Sequence, residues 1–214
     1  MTEATPARQT RSYDSSRRQA MAADNRLAVL GTASRLFGER GWSGTGMRDI
    51  ARAAGVSVET VYGVGTKSQL LVQAIDVGVV GDGEPVPLAD RDVFRDLGRG
   101  DRATRLLAAT RMLASQYARV AQLHRALESG AMGDEDLAEK LDEVRERQST
   151  SFGEALSLIL GRPAPELVNG LQAIGSPEVY LQLVGWAGWS ATQYEEWLAH
   201  TWGLLLDHIP EEKS

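Results

Sequence analysis

Lys67 stands in the run Gly63-Val64-Gly65-Thr66-Lys67-Ser68, and glycines ahead of a Lys-Ser pair are residue types that can cradle a nucleotide phosphate. That chemistry needs four residues between two glycines, the second glycine next to the lysine, and a strand leading in. None of this holds here, so the glycines are read as a tight connection between helices. Asp134-Glu135-Asp136 and Glu195-Glu196 supply paired carboxylates, the material of acid–base catalysis. Each group lies at a helix start or on a wet face, where acids are common and stabilising, and no nucleophile and base stand at working spacing. His124, His200 and His208 lack partners at ligand spacing; His200 has only Glu196 four residues away, which makes no metal site. With no cysteine, disulfides and thiolate zinc sites are excluded. The expectation is a protein that is not an enzyme and holds neither metal nor cofactor.

The elements around Lys67 explain it better. Ile50, Ala51 and Ala54 fall at helical spacing and give one short helix an apolar stripe. Gly55 sits where the chain must reverse, a place that favours a left-handed backbone, and Val56 plugs the turn. Ser57 can accept a hydrogen bond from the free amides of the next turn, so Val58 to Tyr62 begins a second helix at a steep angle to the first. This is a helix-turn-helix. A longer helix precedes it, Arg26 to Arg40, with Leu27, Leu30, Ala33, Leu36 and Phe37 on one face and Gly41 at its end. Thr66 and Gln69 have capping-box spacing and open a further helix through Leu70, Leu71, Ala74 and Ile75. The unit of about fifty residues has the size of a small helical DNA reader.

The run from Ala33 through Leu36-Phe37, Gly41-Trp42, Thr45, Met47 to Ala51, Ala54 to Ser57, Thr60 to Tyr62 and Thr66-Lys67 to Leu70-Leu71 resembles the DNA-binding domain of the tetracycline repressor (TetR) family of bacterial transcription regulators. The resemblance implies that Thr45, Tyr62 and Lys67 grip phosphates, contacts that set register without reading sequence. It places Arg48, Ser57, Glu59 and Thr60 near bases or backbone. Thr60 could meet a thymine methyl and Glu59 could accept from a cytosine amino group; Glu59 could equally be a helix-start charge favoured by the dipole. Two departures bear on site reading. The segment from Tyr62 to Lys67 is one residue shorter than the family's and lacks its phenylalanine, which predicts a looser recognition-helix end, and Gly46 stands where the family favours Ser or Thr.

Charge is divided along the chain. The net charge is −6, but residues 1–76 carry ten Lys/Arg against seven Asp/Glu, a balance of +3, and the remainder carries thirteen against twenty-two, a balance of −9. An acidic second half repels nucleic acid and leaves one face attractive. Arg8, Arg11, Arg17 and Arg18 lie in a Ser/Thr/Ala-rich leader, read as a flexible basic arm over 1–23 that can enter a minor groove on DNA. No apolar run of about eighteen residues and no signal-peptide core is present, so the chain is expected in the cytoplasm with no membrane partner.

The expected fold is all-α, with a three-helix DNA-binding domain over 24–76 and a helical ligand-binding and dimerisation domain over 77–214. Glycines and prolines from Gly81 to Pro87 form the crossing. Asp101 caps a long helix to about Ser129, and a second runs from about Asp134 to Leu160, with Gly161, Pro163 and Pro165 breaking the pattern. A short helix, Glu166 to Ala173, follows; Ser176-Pro177 starts another, interrupted at Gly185 and Gly188. Ser190 with Gln193 makes a second capping box for a last helix to about Ile209.

Family resemblance implies that the last two helices pair with their copies, which assigns Leu183, Trp197, Thr201, Leu204 and Leu205 to a homodimer seam. It also implies a small-molecule site in the helical domain, for which Met112, Gln116, Tyr117, His124 and Phe152 are the mixed apolar and polar set on the two long helices; each could instead fill core. The implied function is a repressor that binds a palindromic double-stranded DNA operator as a dimer and is released by an effector. The alternative is a helical ligand- or partner-binding protein whose degenerate helix-turn-helix no longer binds DNA specifically.

Overall fold

Side-chain caps start the helices where the sequence places them. The structure is a computed structural model that describes residues 10–81 and 88–207, with side chains from residue 19 onward. Helix α1 spans Thr10–Arg40, α2 Met47–Ala54, α3 Val58–Val64 and α4 Lys67–Val80. Ser57 Oγ accepts the Thr60 amide to open α3, and the Thr66–Gln69 capping box opens α4. Between α2 and α3, Gly55 has φ +69°, a left-handed conformation that costs a residue with a Cβ about 1–2 kcal/mol. Helix α1 begins at Thr10, so it takes in Arg11, Arg17 and Arg18 of the leader that the sequence suggested as a flexible arm. Arg8 lies outside the described residues.

After a 3₁₀ turn at Leu88–Asp90 come short α5 (Asp92–Arg95) and a 3₁₀ turn at Asp96–Gly98. Asp101 Oδ1 accepts the Thr104 amide to start α6, Arg102–Ala131, and Asp134 Oδ1 accepts the Leu137 amide to start α7, Glu135–Leu160. Then follow α8 (Pro165–Ile174), α9 (Pro177–Tyr180), a π-helical stretch at Leu181–Trp186, and α10 (Ala191–Leu206), opened by the Ser190–Gln193 capping box. The interruption foreseen at Gly185 is this π-helical stretch, closed by the Ala187 amide on Gln182 O at 2.9 Å. Residues 82–87 of the crossing, His208 and Ile209 lie outside the described residues. No strand occurs among those described.

Two apolar cores lie one above the other along α6, whose 30 residues make a rod of about 45 Å. The first joins Val29, Leu30, Ala33, Leu36 and Phe37 of α1 to Ile50, Val61, Leu70, Leu71 and Ile75 of the next three helices. It continues without a gap into Leu123 and Leu127 of α6 and Leu137 and Val144 of α7. The division expected at residue 76 therefore falls inside α4, and the head rests on the body through shared side chains. Leu27 lies two residues ahead of Val29, the first core residue, and is 54% exposed, outside the stripe expected for it. The second core gathers Phe94, Leu97, Leu106, Leu156, Ile159, Tyr180, Tyr194, Leu198 and Trp202.

Candidate nucleic-acid interface and internal cavity

Helix α3 buries Val61 and turns Ser57, Glu59, Tyr62 and Gly63 to solvent, with Tyr62 61% exposed. That leaves a polar outer face on a rod seven residues long. Ser57 Oγ lies 3.1 Å from Thr60 Oγ1 as well as from its amide, so the Thr60 hydroxyl is engaged within the cap. Hydrogen bonds from its own amide and from the Ser57 hydroxyl hold the Glu59 carboxyl below the usual carboxylate range. These contacts support the helix-start reading of Glu59. Arg48 is exposed at the start of α2.

Two expected phosphate grips have internal partners. Thr45 is 2% exposed, and its Oγ1 lies 2.9 Å from Gly41 O and 3.1 Å from Leu36 O, to which the hydroxyl donates. In this conformation the Thr45 side chain ties the end of α1 to the start of α2 and offers nothing to a phosphate, which corrects the role expected for it. The Lys67 ammonium donates to Trp42 O at 2.7 Å and sits 3.8 Å from the centre of the Trp42 ring. Desolvation lowers its pKa, against a smaller opposing pull from Asp134. An ammonium has three donors, so this anchor leaves two for a phosphate. Trp42 in turn stacks on Phe37 and packs against α6, where a Cβ added to Gly130 would meet its ring at 2.7 Å.

The shortened segment after Tyr62 is closed tightly, contrary to the looser end expected. The Gly65 amide bonds Val61 O at 3.3 Å, and Thr66 begins the capping box of α4 at the next residue. Helix α4 is thus held at its N-terminus by Lys67 on Trp42 and by the Ser68 hydroxyl donating to Asp136 of α7. At its C-terminus, Arg119 of α6 donates to Gly78 O at 2.6 Å and Val79 O at 3.4 Å. Gly78 allows the close crossing, since a Cβ there would lie 2.5 Å from Val120 Cγ1.

Between α4, α6 and α7 lies a cavity of about 380 Å³. Met112, Gln116, Tyr117, His124 and Phe152 all line it, together with Ile75, Asp76, Val79 and Val80 from the C-terminal half of α4. Tyr117 donates its hydroxyl to Gly175 O at 2.7 Å and burial pushes its pKa well up. His124 is 4% exposed; Gln148 Nε2 donates to its Nε2 at 3.0 Å, as befits a neutral ring. Burial lowers the His124 pKa to about 4, opposed by Glu178. Asp76 and Arg147 form an ion pair at 3.0 Å across the rim, joining α4 to α7, with both side chains about half exposed. Sequence reading missed this pair and Arg119, because it could not know which turns of three helices would meet. An interior helical glycine such as Gly78 was the one available signal.

Of the residues assigned to a dimer seam, Leu204 is 56% and Leu205 47% exposed. Trp197 instead packs within the protomer, edge-on to Trp189 at 5.9 Å and tilted on Tyr194 at 6.2 Å. Leu183 is half-buried, and the Thr201 hydroxyl donates to Trp197 O at 2.8 Å. Trp186, which no role had singled out, is 88% exposed. No helix among the described residues is long and apolar enough to cross a membrane.

Residues 29–73 match the bacterial regulatory proteins of the tetR family. Among solved structures, the fold is similar to a TetR-family transcriptional regulator of Mesorhizobium loti, with 19% identity and a TM-score of 0.65 over 87% of this chain and 96% of that one. A transcriptional regulator of Rhodococcus sp. Rha1 is similar at 22% identity and TM-score 0.62, covering 86% of this chain and 99% of that one. The regulator FadR of Bacillus subtilis, solved with stearoyl-CoA, is similar at 14% identity and TM-score 0.59, covering 86% and 99%. No curated protein matches the sequence.

Proposed function

We propose that this chain, whose residues 29–73 match the tetR family and whose fold is that of TetR-family transcriptional regulators, is a repressor that binds a palindromic operator as a homodimer and is released by a small molecule. The observation that carries the reading is the cavity wall. Four of its lining residues, Ile75, Asp76, Val79 and Val80, belong to the same helix whose first residue, Lys67, is anchored to Trp42 in the head. A molecule in the cavity presses on α4 and moves the head with it. Two heads held about 34 to 36 Å apart read one face of a duplex, and a change in that separation weakens both contacts together. A coupling of about 1–3 kcal/mol between effector and operator gives a 5- to 150-fold change in affinity.

On DNA, Tyr62 and Lys67 grip phosphates while Arg48, Ser57, Glu59 and Thr60 lie near bases or backbone. The exposed Leu204 and Leu205 belong to the dimer seam, beside Leu183, Trp197 and Thr201. The division of labour over 24–76 and 77–214 and a cytoplasmic location are part of the same reading. Fluorescence anisotropy on the DNA flanking its own gene tests it, with binding that weakens steeply with salt as the expected result. The second reading, a head that no longer binds DNA specifically, draws on Thr45 and Lys67 being engaged internally. Failure to enrich any sequence from a random DNA pool would establish it.

A further inference from the structure

Gln116 lines the cavity, is 92% buried by its 8% exposure, and has no hydrogen-bond partner for its side-chain amide among the described residues. Its amide atoms are not sealed from solvent as Gln73 Oε1 and Tyr194 OH are, so the amide opens onto the cavity with its donors and acceptor unused and can pair with a molecule held there. Around it the polar groups are neutral. Gln148 gives its amide nitrogen to His124 and keeps its carbonyl oxygen available, and Ser151 adds a hydroxyl to the same wall. Among the described lining residues the only charged side chains are Asp76 and Arg147, and they neutralise each other at the rim. Gln172 adds a second neutral amide, the Tyr117 hydroxyl is spent on Gly175 O, and the remaining described wall is apolar, including Phe94 and Phe152.

We propose that the cavity takes an uncharged, mainly apolar molecule whose neutral polar group, of the amide, carbonyl or hydroxyl kind, pairs with Gln116. The proposal rests on the effector reading above and adds the chemistry of the ligand. Among the described lining residues an anion or cation would lose its hydration and meet no countercharge other than the Asp76–Arg147 pair, so the described wall disfavours charge. A neutral donor and acceptor loses less on entry and satisfies Gln116 in doing so. At about 380 Å³ the volume falls low in the range of about 300–1,000 Å³ found for small-molecule sites.

Two matched sets of probes test this by calorimetry on the full chain: decanamide, decanoate and decylammonium, and the naphthalene carboxamide, carboxylate and methylammonium. On at least one skeleton the amide should bind about tenfold or more tightly than either ion. Gln116→Leu and the closer-fitting Gln116→Met should each weaken the amide by about ten- to a hundred-fold. Asp76→Asn, at the half-exposed rim, frees Arg147 and should raise carboxylate affinity, and it stands as the test if the Gln116 variants fail to fold. Preference for either ion by the unaltered protein, or an amide affinity unmoved in both Gln116 variants, overturns the neutral-ligand class. If an ion binds and releases operator DNA, the class fails while the effector reading survives. If no probe of either set binds, both fall.

Discussion

Replacing Gly78 by alanine should weaken operator binding without touching the DNA-reading face. The added Cβ would lie 2.5 Å from Val120 Cγ1, whereas a favourable carbon–carbon contact needs about 3.5–4.0 Å, so the α4–α6 gap must open by about 1 Å. Val120 is fully buried and β-branched, with one strongly preferred rotamer in a helix, and cannot simply swing aside. Overpacking of this kind costs about 1–3 kcal/mol, and the better helix propensity of alanine offsets about 1 kcal/mol. The net loss of about 0–2 kcal/mol lowers Tm by up to about 8 °C for a chain of this size. Because Lys67 pins the other end of α4 to Trp42, opening the gap tilts the head, and operator affinity should fall by about 5- to 150-fold in the absence of effector. Anisotropy on operator DNA reads the affinity and thermal denaturation reads the fold. Val120→Ala in the same chain removes the clashing methyl, so the double variant should recover most of the affinity lost. If Gly78→Ala raises Tm by its propensity alone and leaves operator affinity unchanged, α4 position does not govern the head, and the coupling argument is refuted.

Lys67→Ala should weaken binding to every sequence alike and reduce the salt slope by about one; an unchanged slope with a lowered Tm would confine Lys67 to its anchor on Trp42. Leu204→Arg places a charge on a residue already 56% exposed in the protomer, so sedimentation should show a monomer with unaltered helicity, and a surviving dimer would move the seam elsewhere. His124 titrates at about 4 in the folded chain, against an ordinary value of 6.5, because burial disfavours its charge. Its contribution is therefore complete above about pH 6.5 and is lost as pH falls towards 4, where the unfolded chain binds a proton that the folded chain does not, for a total of about 3 kcal/mol. Thermal denaturation between pH 7 and pH 5 should show a smaller decline for His124→Asn than for the unaltered protein; parallel declines would remove His124 from the account.

Local chemistry carried much of the architecture into the sequence. The helix starts at Ser57, Thr66, Asp101, Asp134, Ser176 and Ser190 were all legible, since a cap joins a side chain to an amide three residues on and needs no distant partner. The reader unit was legible for the same reason: its stripe, glycine turn and cap lie within a few turns of chain. The long helices declared their inward faces by periodicity, and five inward or flanking residues chosen from them line one cavity. Whether a polar atom was free was not legible. Thr45 has the residue type of a phosphate contact, yet the return of the chain after α1 places its hydroxyl against Leu36 O and Gly41 O.

The sequence by itself determined where the capped helices begin, most of the stripes they bury and that a glycine turn sets α3 apart, because these follow from bonds and periodicities within a few residues. The start of α1 at Thr10 and the short α5, which has no side-chain cap, were not legible. Only the tertiary structure decided that Lys67 meets Trp42, that Asp76 meets Arg147 across a cavity, and that Gly78 lets α4 cross α6 so closely. Those pairings join residues 25, 71 and 42 positions apart, and the relative rotation of packed helices, which no local pattern encodes, selects them.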